Sequence, residues 1–190
     1  MQRIEVIEWK KKGKPVPPPH INKQRMLEIY AKGFGLKIMV ETGTYYGDMV
    51  SAMKNKFEQI YSIELSKNLY ELATQRFKRV KNVVLIRGDS EVELGLLMER
   101  INQSALFWLD GHYSAGVTAK GKKVTPIFEE LGHILKGRDT GHVIIIDDAR
   151  CFGKEPGYPS IREISDFVKS KRPHTKIEVK NDSIVIVPGQ

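Results

Sequence analysis

Lys37-Ile38-Met39-Val40-Glu41-Thr42-Gly43-Thr44-Tyr45-Tyr46-Gly47-Asp48 is a short apolar run that ends on a carboxylate, bends through two glycines and enters a helical pattern from about Met49. Gly43 and Gly47 let the backbone turn sharply and approach a ligand closely, and the helix start that follows offers unpaired amides to a carboxylate or phosphate. The spacing is neither Gly-x-Gly-x-x-Gly nor Gly-Lys-Ser/Thr, which counts against a dinucleotide-dependent dehydrogenase and a P-loop NTPase. A plain strand-to-helix turn that needs glycine is the competing reading.

The same grammar repeats downstream. Gln59 to Ile63, Val83 to Ile86, Ala105 to Leu109 and Val143 to Ile146 are four or five residues long and mostly apolar throughout, as parallel strands covered on both faces should be. Amphipathic segments fit between them. After Ser66, residues Leu69, Leu72, Ala73, Phe77 and Val80 form one stripe, and after Thr125 the residues Ile127, Leu131, Ile134 and Leu135 form another. Ser90 with Glu93 and Ser160 with Glu163 fit capping boxes, and Thr125 before Pro126 fits an N-cap followed by proline. Lys176 to Val179 and Ile184 to Val187 flank Asn181-Asp182-Ser183, which predicts a hairpin. The expected fold is therefore α/β: a Rossmann-like, doubly wound, mostly parallel sheet with a C-terminal antiparallel hairpin.

Upstream, His20 to Lys32 reads as a first helix, stopped by Gly33 and Gly35. Residues 1–19 read as a basic, proline-rich arm, since Lys10, Lys11, Lys12 and Lys14 lead into Pro15, Pro17, Pro18 and Pro19, which favour extended backbone. Residues 20–190 then form one domain, a size that 190 residues with 41% hydrophobic content supports. No stretch reaches the roughly 18 apolar residues of a membrane span, and the first twenty residues lack a signal peptide's apolar block, so no membrane and a cytoplasmic location are expected. A single cysteine, Cys151, excludes an internal disulfide and a cysteine-built zinc site. The net charge of +8 favours anionic partners, from phosphorylated metabolites to nucleic acid.

Sheets of this class bind ligands outside the carboxyl ends of their strands. The second strand ends at Glu64, roughly 20 residues beyond the glycine turn, where an acidic side chain grips a ribose diol. The third ends in Gly88-Asp89-Ser90, where Asp89 either accepts from an adenine amino group or caps the next helix. The fourth ends in Leu109-Asp110-Gly111-His112-Tyr113 and the fifth in Ile146-Asp147-Asp148-Ala149-Arg150. Asp110, Asp147 and Asp148 thus emerge from neighbouring strands, and oxygen-only ligands suit Mg²⁺ or a similar hard cation. The alternative has one of the paired aspartates capping loop amides and Asp110 pairing with Arg150, with no ion. His112 sits where an imidazole takes a proton from a substrate hydroxyl, or is structural. The stretch from Ser114 to Lys123, with Lys120, Lys122 and Lys123, reads as a substrate cover or a solvated connection.

On these residues the sequence resembles the class I S-adenosylmethionine-dependent methyltransferases. Glu41, Thr42, Gly43, Thr44 and Gly47 match that class's first motif, and Glu64, Asp89, Ser90 and Asp110 fall where it contacts the cofactor; the likeness spans about residues 37–187. Within the class, the segments at Asp110 and at Asp147-Asp148 resemble the metal-dependent sugar O-methyltransferases of macrolide and aminocoumarin pathways. That likeness implies Mg²⁺ on Asp110, Asp147 and Asp148, with His112 standing where the subgroup carries an aspartate base. The subgroup's longer substrate-binding insertions are absent. The expectation is methyl transfer from S-adenosylmethionine to a hydroxyl of a small, anionic or sugar-containing metabolite. The metal would activate the acceptor, His112 and Asp110 would be catalytic, and Arg150, Tyr113 and Lys120 would hold the substrate. A second copy of the chain is the expected protein partner. A nucleic-acid acceptor, or a noncatalytic ligand-binding protein of the same fold, are the alternatives.

Overall fold

Alternate residues of each central strand feed two different cores, and this decides the architecture. Phe107 and Leu109 of one strand join Val40, Leu97, Leu131, Ile144 and Ile164 on one side, while Leu106 and Trp108 join Met26, Leu27, Val50, Phe77 and Ile145 on the other. A strand apolar on both faces has to be sandwiched, and burying each large side chain is worth roughly 1.5–3 kcal/mol. The computed structural model describes residues 2–111, 125–137 and 139–189.

In chain order the elements are α1 (Gln2–Lys11), α2 (His20–Gly33), β1 (Ile38–Thr42), α3 (Asp48–Met53), β2 (Gln59–Glu64), α4 (Lys67–Phe77), β3 (Val83–Arg87), α5 (Ser90–Met98), β4 (Ala105–Leu109), α6 (Ile127–Lys136), β5 (Val143–Ile146), α7 (Ile161–Lys171), β6 (Lys176–Lys180) and β7 (Ser183–Val187). They build a seven-stranded sheet in the order β3-β2-β1-β4-β5-β7-β6. The first five strands are parallel, and β7 runs antiparallel to both β5 and β6. Helices α2, α3 and α4 cover one face, and α5, α6 and α7 the other. Asn181 and Asp182, both at positive φ, make the two-residue turn between β6 and β7. The expected fold is the observed one.

Three local expectations change. Residues 2–11 are helical rather than extended, because the prolines begin only at Pro15 and the preceding Gln, Arg, Glu and Lys residues are good helix formers. Val6 is buried, and the Trp9 indole N–H donates to the Pro15 carbonyl at 2.7 Å, folding the chain back on itself. At α5 the cap is Asp89, whose Oδ1 accepts from the Glu91 N–H at 3.1 Å, and Ser90 is already the first helical residue. At α6 Pro126 is the N-cap and Ile127 the first helical residue, one position later than Thr125 and Pro126 suggested. The capping box of Ser160 and Glu163 at α7 is formed as read.

Candidate active site at the carboxyl ends of the parallel strands

The strand order reverses direction between β1 and β4, and there the carboxyl ends of the two strands lie side by side. The Gly43 N–H donates to Ile63 O at 2.9 Å and the Asp110 N–H donates to Thr42 O at 3.1 Å, so the β1 end is tied to both neighbours. Gly43 has φ +82°, and a Cβ there would lie 2.4 Å from the Asp110 carbonyl oxygen. Backbone cannot give way as a flexible side chain can, so only glycine fits. Tyr45 (φ +50°) and Gly47 (φ +78°) continue the bend into α3, which is only six residues long.

Two buried glutamates flank this turn. Glu64 Oε2 accepts from the Tyr45 N–H and Oε1 from the Ser66 N–H, each at 2.8 Å, so the β2 end holds the turn in place. Burial pushes its pKa up, against the opposing pull of the Ser66, Tyr45, Leu65 and Thr44 amides. Glu64 stands at the strand end where an acidic side chain grips a ribose diol. Glu41 is deeper, with 1% of its surface exposed. Its Oε2 accepts from the Ser62 hydroxyl, which lies 2.6 Å from Thr44 Oγ1. Ser62 has one proton to give, so with Glu41 ionised the relay runs from Thr44 through Ser62 to Glu41. Burial pushes Glu41 up to about 8, the Ser62 hydrogen bond opposes this, and the charges of Asp110 and Glu64 add to it. The Thr42 hydroxyl is buried with no hydrogen-bond partner among the described residues.

The β5 end is built from charges. The Asp147 N–H donates to Leu109 O at 3.0 Å, joining β5 to β4 just below Asp110. The Asp147 carboxylate accepts from the Asp148 N–H at 2.8 Å and from the Ser183 hydroxyl at 3.4 Å. Lys23 Nζ, reaching across from α2, stands 2.6 Å from a carboxylate oxygen of Asp147 and 3.3 Å from Asp148 Oδ1. Burial works to lower the Lys23 pKa, but Asp147, Asp148 and Asp110 together raise it. Asp148, at φ +55°, also accepts from Arg150 Nη1 at 2.7 Å, and the same Nη1 donates to Asp182 Oδ2. Asp182, in the hairpin turn, further accepts the Arg150 N–H at 2.9 Å and so fastens the loop after β5. Burial tends to lower the Arg150 pKa, but Asp148 and Asp182 hold it above its usual value.

Of the residues singled out by sequence, Glu41, Thr42, Gly43, Thr44, Gly47, Glu64, Asp110, Asp147, Asp148 and Arg150 stand along this one edge. Asp89 and Ser90 follow the next strand end, and Asp89 is engaged as the α5 cap. His112, Tyr113 and Lys120 lie outside the described residues. The structure does not show the expected metal site. Among the described residues no three His, Cys, Asp or Glu side chains converge as a metal centre. Asp147 and Asp148 are instead bound to Lys23, and Arg150 pairs with Asp148 and Asp182 rather than being the Asp110 partner proposed for an ion-free site. Lys23 was missed, although the signal was there: it shares a helix face with buried Met26, Leu27 and Ala31, and a lysine on such a face needs a buried partner. Among the described residues no helix is long and apolar enough to cross a membrane.

No family model matches the sequence. The chain is 34% identical over 68 residues to the ribosomal RNA small subunit methyltransferase A of Caldanaerobacter subterraneus, covering 35% of this chain and 25% of that one. It is 38% identical over 72 residues to a protein-L-isoaspartate O-methyltransferase of Burkholderia pseudomallei, covering 37% and 22%. It thus spans about a quarter of the curated relatives it matches. Whole-chain likeness comes from solved structures. An O-methyltransferase from Bacillus cereus in complex with SAH superposes with TM-score 0.65 at 14% identity, over 98% of this chain and 89% of that one. The O-methyltransferase TomG from Streptomyces achromogenes in complex with SAM, involved in tomaymycin synthesis, gives 0.63 at 14% identity, over 100% and 89%. The fold is that of the class I S-adenosylmethionine-dependent methyltransferases.

Proposed function

We propose that the chain is an S-adenosylmethionine-dependent methyltransferase that methylates a hydroxyl oxygen of a small, anionic or sugar-containing metabolite. One observation carries this reading. At the point where strand order reverses, the only-glycine turn at Gly43 and the Glu64 carboxylate are fastened to each other, at the strand end where an acidic side chain grips a ribose diol. The likeness in fold to O-methyltransferases solved with SAM or SAH supports it. Glu64 would hold the cofactor ribose, and the Gly43–Gly47 turn would lie against the rest of the cofactor.

Catalysis would then rest on holding the sulfonium methyl in line with the acceptor oxygen. His112 is the proposed base, with Tyr113 and Lys120 on the substrate side. Arg150 spends Nη1 on Asp148 and Asp182, which leaves its remaining N–H groups for an anionic part of the substrate. No step passes through a metal, because an ammonium already stands between Asp147 and Asp148.

Calorimetry with S-adenosylmethionine, S-adenosylhomocysteine and NAD in turn tests the assignment. The first two should bind with one-to-one stoichiometry, and a preference for NAD would overturn it. One observation favours a nucleic-acid acceptor as the second reading. Lys10, Lys14, Arg25 and Lys180 line a cleft of about 270 Å³ beside Trp9 and Tyr30, with no carboxylate among its walls. RNA binding that weakens steeply with salt would support that acceptor class.

A further inference from the structure

We propose that Lys23 is the resident cation of this site: its ammonium fills the place between Asp147 and Asp148 that a divalent metal would otherwise take, and the chain uses no metal there. Three observations converge. The first is position. Nζ lies within ion-pair distance of both carboxylates, at 2.6 and 3.3 Å, where an ion bridging them would have to stand. Mg²⁺ demands oxygens at about 2.0–2.1 Å in near-octahedral array, a shell that cannot form around an occupied centre.

The second is anchorage. The Lys23 and Asp147 side chains are 9% and 6% exposed, and Lys23 rises from a helix face pinned by Met26 and Leu27. Moving the ammonium aside would strand buried charges on both partners, which is costly. The third is the neighbourhood. Arg150 Nη1 shares Asp148 Oδ1 with Lys23 and is itself locked to Asp182. A divalent ion at Asp148 would face two fixed positive charges at close range.

An ammonium also supplies what a metal would offer an oxygen ligand. It has three N–H donors, and Asp147 and Asp148 take two of them. The third is the donor for the acceptor's oxygen. Lys23 therefore orients the acceptor and steadies negative charge on it, while the proton goes to a separate base. This deepens the methyl-transfer reading and rests on it only for the identity of that acceptor.

The test is a manganese titration of the chelator-treated full chain, read by the electron paramagnetic resonance of free Mn²⁺ and by thermal melting, without S-adenosylmethionine. Wild type and Lys23→Arg should show no saturable site. Lys23→Ala should gain one, at least about tenfold tighter than any binding to wild type, with a melting point that Mn²⁺ raises. Adding Asp147→Asn should abolish that gain. Saturable wild-type binding that Asp147→Asn removes would overturn the proposal, as would a folded Lys23→Ala that gains nothing. Lys23→Met, which keeps the buried stem, replaces Lys23→Ala should the latter not fold. Failure of the cofactor titration is read separately and leaves the metal result standing.

Discussion

Two groups of carboxylates stand on the same edge of the sheet and are held in opposite ways. At the β1 and β2 ends, Glu41 and Glu64 are met by neutral donors: the Ser62 hydroxyl, itself bonded to that of Thr44, at Glu41, and amides from Tyr45 and Ser66 at Glu64. At the β5 end, Asp147, Asp148 and Asp182 are met by the cations of Lys23 and Arg150. Burial raises the carboxyl pKa at both ends, opposed at Glu41 and Glu64 only by neutral hydrogen-bond donors and at Asp147 by the charge of Lys23. Cations fix the geometry of the acids they pair with. The first arrangement suits a cofactor's sugar, and the second suits a rigid platform on which an acceptor is aligned.

The contrast is broken most severely at Lys23. Lys23→Met should cost roughly 3–5 kcal/mol of stability in urea unfolding, because it leaves Asp147 buried without its cation. A loss under about 1 kcal/mol would mean that the pair is solvated. Next comes Gly43→Ala, expected to cost roughly 2–4 kcal/mol and to abolish measurable S-adenosylmethionine binding, since both its φ and the Asp110 carbonyl exclude a Cβ. Glu64→Gln should be milder. It keeps one acceptor oxygen, and affinity for the cofactor should fall by about 10- to 100-fold in calorimetry, the worth of one charge-assisted hydrogen bond. Undiminished affinity would remove Glu64 from the site.

A pH dependence sharpens the comparison further. Burial raises Glu41 from 4.5 to about 8, so between those values the folded chain holds a proton that the unfolded chain has released. The stability this contributes is present below about pH 4.5 and is lost as pH rises through about 8. Glu41→Gln, uncharged at every pH, should flatten that part of the stability profile with little change at its acid end. An unchanged slope would show that Glu41 is ionised in the folded state at neutral pH.

Much of this was legible beforehand, for a reason that particular residues make plain. Strands such as Ala105–Leu109 and Val143–Ile146 are so apolar that only a sheet covered on both faces can bury them, and their bounds came out as read. The Gly43–Gly47 turn and Glu64 announce themselves because backbone sterics and strand ends are local. The N-terminal helix was not legible, because the prolines after Lys14 outweighed the helix formers before them. Asp89 could be read two ways, and the cap was visible only once the α5 start was known.

What the sequence determined by itself was the alternation of strand and helix, the places where the chain must bend, and which acids end which strands. All of these follow from side-chain periodicity and backbone freedom within a few residues. What only the tertiary structure decided was the identity of each acid's partner. Lys23 lies 124 residues from Asp147 and Asp182 lies 32 from Arg150, and charges pair by distance in space, which no local pattern encodes. Of the three aspartates that spell a metal site along the chain, Asp147 and Asp148 are, once folded, paired with a lysine from the second helix, Asp148 also with an arginine locked by the hairpin turn, and the charge of Asp110 helps to raise that lysine's pKa.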